Sequence, residues 1–442
     1  MDRGGKLMRT LRILALPLIL VLIAAACTAE EGGDGGGGGE EENTGTVNVM
    51  NALEPEENEV LQNISDEIIA PDADYDVEFE QVDDVAQQIQ IRAEGGTLDV
   101  VLVPQPGAVQ EQATSGNAVS LEDLGLDMGQ LEETFGEYFL SLGEFEGEHY
   151  GIPTNINLKS MVWYAKDDFD AAGYEVPETW DDLMALSDQM VQDGNTPWCV
   201  GFESGGDTGW PATDWMEDIM LGSAGTDTYT QWINHEITFT DPAVVHAGEL
   251  FGQAMFTDGY VLGGAENTPA TAFADAPAPM FENPPGCFMH RQASFITAFF
   301  GDAKAGKDYD WFPFPGESQQ PTLFAGELAV VFSNRPEVVE FLEAFMGEEV
   351  QCAMGTEPGS SRISPNINVG SDCYSNPILA DASEVLTAAL AGEGAAGFDA
   401  SDQMPPQVGS GSFWTEMMSY MEDGPDSLQT HLENIDKSWP AE

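Results

Sequence analysis

Leu98-Asp99-Val100-Val101-Leu102-Val103-Pro104 is a short apolar run interrupted by one acid and stopped by proline. Its length and β-branched content read as a strand buried on both faces, the kind found in parallel sheets. Working back, Val85 and Ile89 mark a helix that ends near Gly95-Gly96. Before it, Val77, Phe79 and the nearby Val82 mark a second strand. Val60, Leu61, Ile64 and Ile68 line one face of another helix, stopped by Pro71, and Thr46-Val47-Asn48-Val49-Met50 alternates as a first strand. This βαβαβ order predicts an α/β domain with helices covering a mostly parallel sheet. Ligands of such sheets bind beyond the carboxyl ends of the strands. The loops of interest are therefore 51–55, Asp83-Asp84 and Pro104-Gln105-Pro106-Gly107.

A second α/β region is expected after Gly151-Ile152-Pro153-Thr154. Leu158 to Tyr164 reads as a strand. Pro177 and Thr179 open a helix carrying Trp180, Leu183, Met184, Met190 and Val191 on one face, closed by Gly194. Another helix follows Pro336, with Val338, Phe341, Leu342, Phe345 and Met346 inward and Gly347 as its stop. No internal repeat is visible.

The chain has 442 residues, 13 Lys+Arg and 78 Asp+Glu, for a net charge of −65. That length can bury one large core or two medium ones. Hydrophobic content of 42% argues against disorder despite the charge. So few cations cannot build the basic stripe that nucleic acid needs, and an anionic membrane surface would repel the folded body.

The amino terminus reads as an address. Arg3, Lys6, Arg9 and Arg12 precede an uncharged, mostly apolar run from Ile13 to Ala26, too short to span a bilayer and suited to a signal peptide. Ile23-Ala24-Ala25-Ala26-Cys27 resembles a bacterial lipobox, with Ala24 where Leu is usual. Residues 1–26 are thus expected to be removed and Cys27 to carry lipid. Residues 27–45, rich in Gly and acids, would be a flexible tether. Cleavage would take four of the 13 bases and one of the 78 acids, leaving nine against 77. Cys199, Cys287, Cys352 and Cys373 remain, enough for two disulfides in three possible connectivities. Cys199–Cys287 with Cys352–Cys373 is favoured, because the second bridge closes a short Gly/Pro/Ser-rich stretch.

Catalytic signatures fail. The five His are scattered, His235-Glu236 lacks a second zinc-binding His, and no G-x-S-x-G or C-x-x-C spacing occurs. Gly301 to Asp308 mimics a phosphate loop but ends in Asp where Ser or Thr must hold magnesium. No metal or cofactor is expected. Aromatics say more: Trp210, Asp214, Trp215, Glu217 and Asp218 fall within Glu203–Asp218. A flat aromatic against the C–H face of a sugar, with polar side chains on its hydroxyl rim, is how such rings are held. Any single Trp is more often a core anchor.

Taken together, several segments resemble the extracellular solute-binding lipoproteins of ABC sugar importers, nearest their alpha-glucoside or oligosaccharide branch. They are Gly151-Ile-Pro-Thr-Asn-Ile-Asn-Leu-Lys-Ser-Met-Val-Trp-Tyr164, Ala172-Gly-Tyr-Glu-Val-Pro-Glu-Thr-Trp-Asp-Asp-Leu183, Gly209-Trp-Pro-Ala-Thr-Asp-Trp-Met-Glu-Asp218, Pro284–Phe295, Ser364–Asn368 and Phe398–Pro405 with Phe413-Trp414. The resemblance implies a two-lobed, periplasmic-binding-protein-like fold (type II). Lobe one would hold 46–157 and 302–356, lobe two 158–301 and 357–442, with the ligand cleft between them. It implies that Glu54, Asp83, Gln105 and Glu327 face the cleft from lobe one. Asn157 and Lys159 would sit near the hinge. Trp210, Asp214, His290, Gln292, Arg362, Asp402 and Trp414 would come from lobe two. Glu327 stands where relatives often carry Asp, and Arg291 where many carry a neutral residue or His. The implied function is capture of a neutral alpha-glucoside or short oligosaccharide by a lipid-anchored monomer on the outer face of the cell membrane, and its delivery to permease subunits. The competing reading is a surface glycoside hydrolase, which needs two carboxylates at a set separation.

Overall fold

A computed structural model describes residues 45–53, 55–82, 84–357 and 360–440 of the chain. The expectations placed on residues 1–44, Glu54 and Asp83 lie outside the described residues.

The strands are β1 (Thr46–Asn51), β2 (Asp76–Gln81), β3 (Val100–Val103), β4 (Glu144–Phe145), β5 (Glu148–His149), β6 (Gly151–Leu158), β7 (Met161–Ala165), β8 (Met289–Arg291), β9 (Tyr309–Pro313), β10 (Pro321–Val331) and β11 (Ala395–Phe398). β1 pairs in parallel with β2 and β3, as the βαβαβ pattern requires, with Val49 opposite both Phe79 and Val100. All four residues of β3 are buried. The sheet runs β11-β10-β3-β1-β2 and is mixed, because β10 lies antiparallel to β3 and β6 but parallel to β11. One face of this sheet carries Val47, Val49, Val100 and Leu102 against the helix Pro336–Phe345, whose Val338, Phe341, Leu342 and Phe345 are buried as expected. The other face packs Met50, Val101, Val103, Leu328 and Val330 with Ile89.

The expected strand Leu158–Tyr164 is two strands. β6 ends at Leu158, a corner forms at Lys159-Ser160, and β7 begins at Met161. The corner is fixed by polar groups. The Lys159 N–H donates to the Leu323 carbonyl at 2.8 Å, and the Leu323 N–H donates to Ser160 Oγ at 2.6 Å. β7 then becomes the centre of a separate antiparallel sheet, β8-β7-β9. Thr179 caps the helix Trp180–Gln192 by accepting from the Asp182 N–H. A second large core gathers Val162, Trp180, Trp198, Trp215, Trp232, Phe251 and Phe413. Phe312, Phe314 and Leu323 belong to this core, whereas Ile363, Ile378 and Leu379 belong to the first. Cys199 is bonded to Cys287 and Cys352 to Cys373. No helix among the described residues is long and apolar enough to cross a membrane.

Candidate functional site

The Lys159-Ser160 corner points at the helix Trp210–Ala224, which is buried along nearly all its length. Asp214, Glu217 and Asp218 lie three and four residues apart on it, so they share one face, and each is fully buried. Two cations meet them. Lys159 Nζ lies 2.8 Å from Asp214 Oδ1 and 2.5 Å from Asp399 Oδ2. The Arg291 guanidinium, at the end of β8, donates from Nη1 to Asp214 Oδ2 at 3.0 Å and from Nε to Asp218 Oδ2 at 2.9 Å. Ser160 Oγ donates to the other Asp218 oxygen. Asp399 also takes the Asp402 N–H at 2.9 Å and the Ser401 hydroxyl at 2.8 Å, capping the short helix Ala400–Gln403. Glu217 accepts from the Ala400 and Ser401 N–H groups at 3.0 and 3.2 Å.

Two cations cannot neutralise the five carboxylates Asp214, Glu217, Asp218, Asp399 and Asp402. Burial, then the neighbouring Asp399, pushes the pKa of Glu217 and Asp402 well above the ordinary carboxylate value, which favours their protonated forms. Burial also pushes Asp214 up, to about 6, against the pull of Lys159 and Arg291. For Asp399 burial acts the same way, but Lys159 outweighs it and lowers the pKa. Burial opposes the charge on Lys159, yet Asp214 and Asp399 more than offset it and keep the amine protonated. Oxygens of Asp214, Glu217 and Asp399 lie close enough together to surround a cation. The ammonium of Lys159 is bonded to two of them.

The outer side of this network opens on a cavity of about 170 Å³ lined by Gln105, Asn157, Lys159, Asp207, Trp210, Glu327, Asp399, Asp402 and Trp414. Lys159 Nζ stands 5.3 Å from the centre of the Trp210 ring, and Trp414 Nε1 donates to Ser401 Oγ at 3.1 Å. Gln105 reaches the cavity from the loop after β3, at the carboxyl end of the parallel strands. Asn157, Phe295 and Glu327 also line a second, adjoining cavity of about 590 Å³. Larger or comparable spaces of about 620 and 460 Å³ beside residues 363–391 and 126–134 contain none of the charged network.

Seven of the thirteen residues named from the sequence thus meet in one cavity: Gln105, Asn157, Lys159, Trp210, Glu327, Asp402 and Trp414. Arg362 stands behind Glu327 and donates to it from Nη2 at 2.6 Å. Asp214 lies behind Lys159 and does not line the cavity. His290 and Gln292 are buried and line neither space. Nδ1 of His290 is 2.8 Å from the Cys199 carbonyl, and Gln292 Oε1 accepts from the Ala293 N–H. Sequence reasoning missed Asp207, Phe295 and above all Asp399, although Asp399 stands three residues before Asp402 in an N-cap position that the pattern Asp-Ala-Ser-Asp signals.

Comparison with known proteins places the chain in a family. The description "bacterial extracellular solute-binding protein" matches residues 61–351. The alpha-glucosides-binding periplasmic protein AglE of Rhizobium meliloti is 37% identical over 381 residues, covering 83% of this chain and 81% of AglE. The osmoprotective compounds-binding protein GgtB of Synechocystis is 36% identical over 372 residues, 83% and 86% of the two chains. Among solved structures, the bacterial solute receptor AcbH superposes with a TM-score of 0.72 at 18% identity, over 89% of this chain and 98% of that one. RafE from Streptococcus pneumoniae gives 0.68 at 18%, over 90% and 98%. These likenesses carry the two-lobed receptor fold. The chain belongs to the bacterial extracellular solute-binding protein family.

Proposed function

We propose that this chain captures a neutral alpha-glucoside or short oligosaccharide and hands it to the membrane subunits of an ABC importer. The observation that carries the reading is the cavity in which Trp210 and Trp414 stand beside Gln105, Asn157, Lys159, Glu327 and Asp402. Aromatic faces beside donors and acceptors suit a ring with an apolar face and a hydroxyl rim. The similarity to AglE supports the alpha-glucoside class. Arg362 and Asp214 act one step back, orienting Glu327 and Lys159.

The cavity lies between two lobes that close on the sugar. Lobe one comprises 46–157 and 302–356, and lobe two 158–301 and 357–442. Membership of Phe312, Phe314 and Leu323 in the second core favours moving the second crossing into β10. The protein acts as a monomer, held to the outer face of the membrane by lipid on Cys27 and the tether behind it. We read it as a binder and not a catalyst on its similarity to the binding proteins AglE and GgtB.

The test is sugar binding by Trp210→Ala and Trp414→Ala. Each is expected to weaken maltose or trehalose binding about tenfold or more while melting cooperatively, since an aromatic contact is worth ~0.5–1.5 kcal/mol beyond its burial. Unchanged affinity in either variant would assign that Trp to packing alone.

A further inference from the structure

The two adjoining cavities differ in chemistry. The smaller one has Trp at its walls, whose N–H gives a polar edge, and carries Lys159, Gln105 and Asp402. The larger one is walled on one side by Phe273, Phe295 and Phe299, which have no polar edge. These rings are only half-buried. They continue the aromatic wall begun by Trp210, whose centroid is 5.1 Å from Phe273 and 5.9 Å from Phe295, with Phe299 5.5 Å beyond Phe273.

The polar groups facing this wall are partly engaged. Asn155 Oδ1 takes the Ile363 N–H at 3.1 Å, and its Nδ2 donates to Asn157 Oδ1 at 3.4 Å. Glu327 is held by Arg362, and Glu57 accepts from Ser361 Oγ. On the Phe side of this space a hydroxyl-rich group would give up water and find no partner, which is costly. An apolar group would cover exposed Phe surface, which is favourable. The smaller cavity, at about 170 Å³, falls below the ~300–1,000 Å³ of pockets that take drug-sized ligands, so it accepts one ring and the rest of the ligand must project into the larger space.

We infer that the larger cavity is a subsite for an apolar aglycone, so that the protein takes alkyl or aryl alpha-glucosides with the sugar ring in the smaller cavity. This rests on the sugar-binding reading above. The test is titration calorimetry on the whole chain with methyl, propyl, butyl and phenyl alpha-D-glucopyranoside. Affinity is expected to rise about three- to fourfold per added methylene, and further for phenyl. In Phe299→Ala and Phe295→Ala that rise flattens, while methyl alpha-glucoside binds as in wild type in Phe299→Ala, whose ring lines only the larger cavity, which also reports that this variant is folded. Phe299→Leu, which keeps apolar surface, retains most of the rise. Wild-type protein that binds the methyl glucoside with no gain along the series overturns the subsite and leaves the sugar site standing. So does a rise that persists undiminished in both alanine variants. Failure to bind any of the four glucosides overturns both.

Discussion

His290 sits on β8, buried, with Nδ1 at the Cys199 carbonyl and Nε2 without a hydrogen-bond partner. Burial lowers its pKa from 6.5 to about 4, aided by the charge on Arg291 and opposed by the Cys199 carbonyl. The neutral ring is therefore the native form, and the unfolded chain binds the extra proton first as pH falls. His290 contributes its full stability above pH 6.5 and loses it progressively down to about pH 4, a loss of ~3 kcal/mol. Chemical unfolding of wild type and His290→Gln from pH 7.5 to 4 is expected to show the variant losing less over that window. Parallel profiles would mean that the ring is protonated in the fold. At this scale the sequence was read unevenly. Trp210 and Trp414 were legible because each lies in a segment that resembles the family, with polar residues near the ring. His290 was not, because a His in Phe-Met-His-Arg carries no sign of whether it faces a cavity or a carbonyl across the sheet.

At the scale of elements, the β6–β7 corner, the helix Trp210–Ala224 and the 399–402 turn are joined through one ammonium group. Lys159→Met leaves Asp399 without its cation and Asp214 with Arg291 alone. Breaking a buried pair from one side costs about 3–5 kcal/mol. Urea unfolding at neutral pH is expected to show a loss of that size, partly restored by adding Asp399→Asn. A loss below about 1 kcal/mol, or no restoration, would mean that water reaches these acids. The βαβαβ elements were legible because each strand's alternation and each stop are local. The corner at Lys159-Ser160 was not, since Leu158 to Tyr164 is apolar enough to read through. What breaks the strand is the pull of Asp214 and Asp218, more than fifty residues later in the chain. The same distance hid the role of β10, whose antiparallel course makes the sheet mixed.

At the scale of the molecule, a chain with 78 acids and 13 bases carries a strongly negative field. Such a field repels anionic ligands and admits neutral ones. The charge thus bears on ligand class as well as solubility. How the two cores are arranged is a non-local property, and no local pattern states it. The central claim is that this family member takes a neutral glucoside in the Trp210–Trp414 cavity. The most direct measurement is the melting temperature of the whole chain titrated with maltose, trehalose and methyl alpha-glucoside, with glucose 6-phosphate as the anionic comparison. A ligand that binds only the native state at a hundred times its Kd adds about 2.7 kcal/mol. The account predicts that at least one neutral glucoside raises melting in a saturable way and is recovered intact, while glucose 6-phosphate does not. Melting that no neutral glucoside moves, or a shift from the phosphate alone, would contradict it.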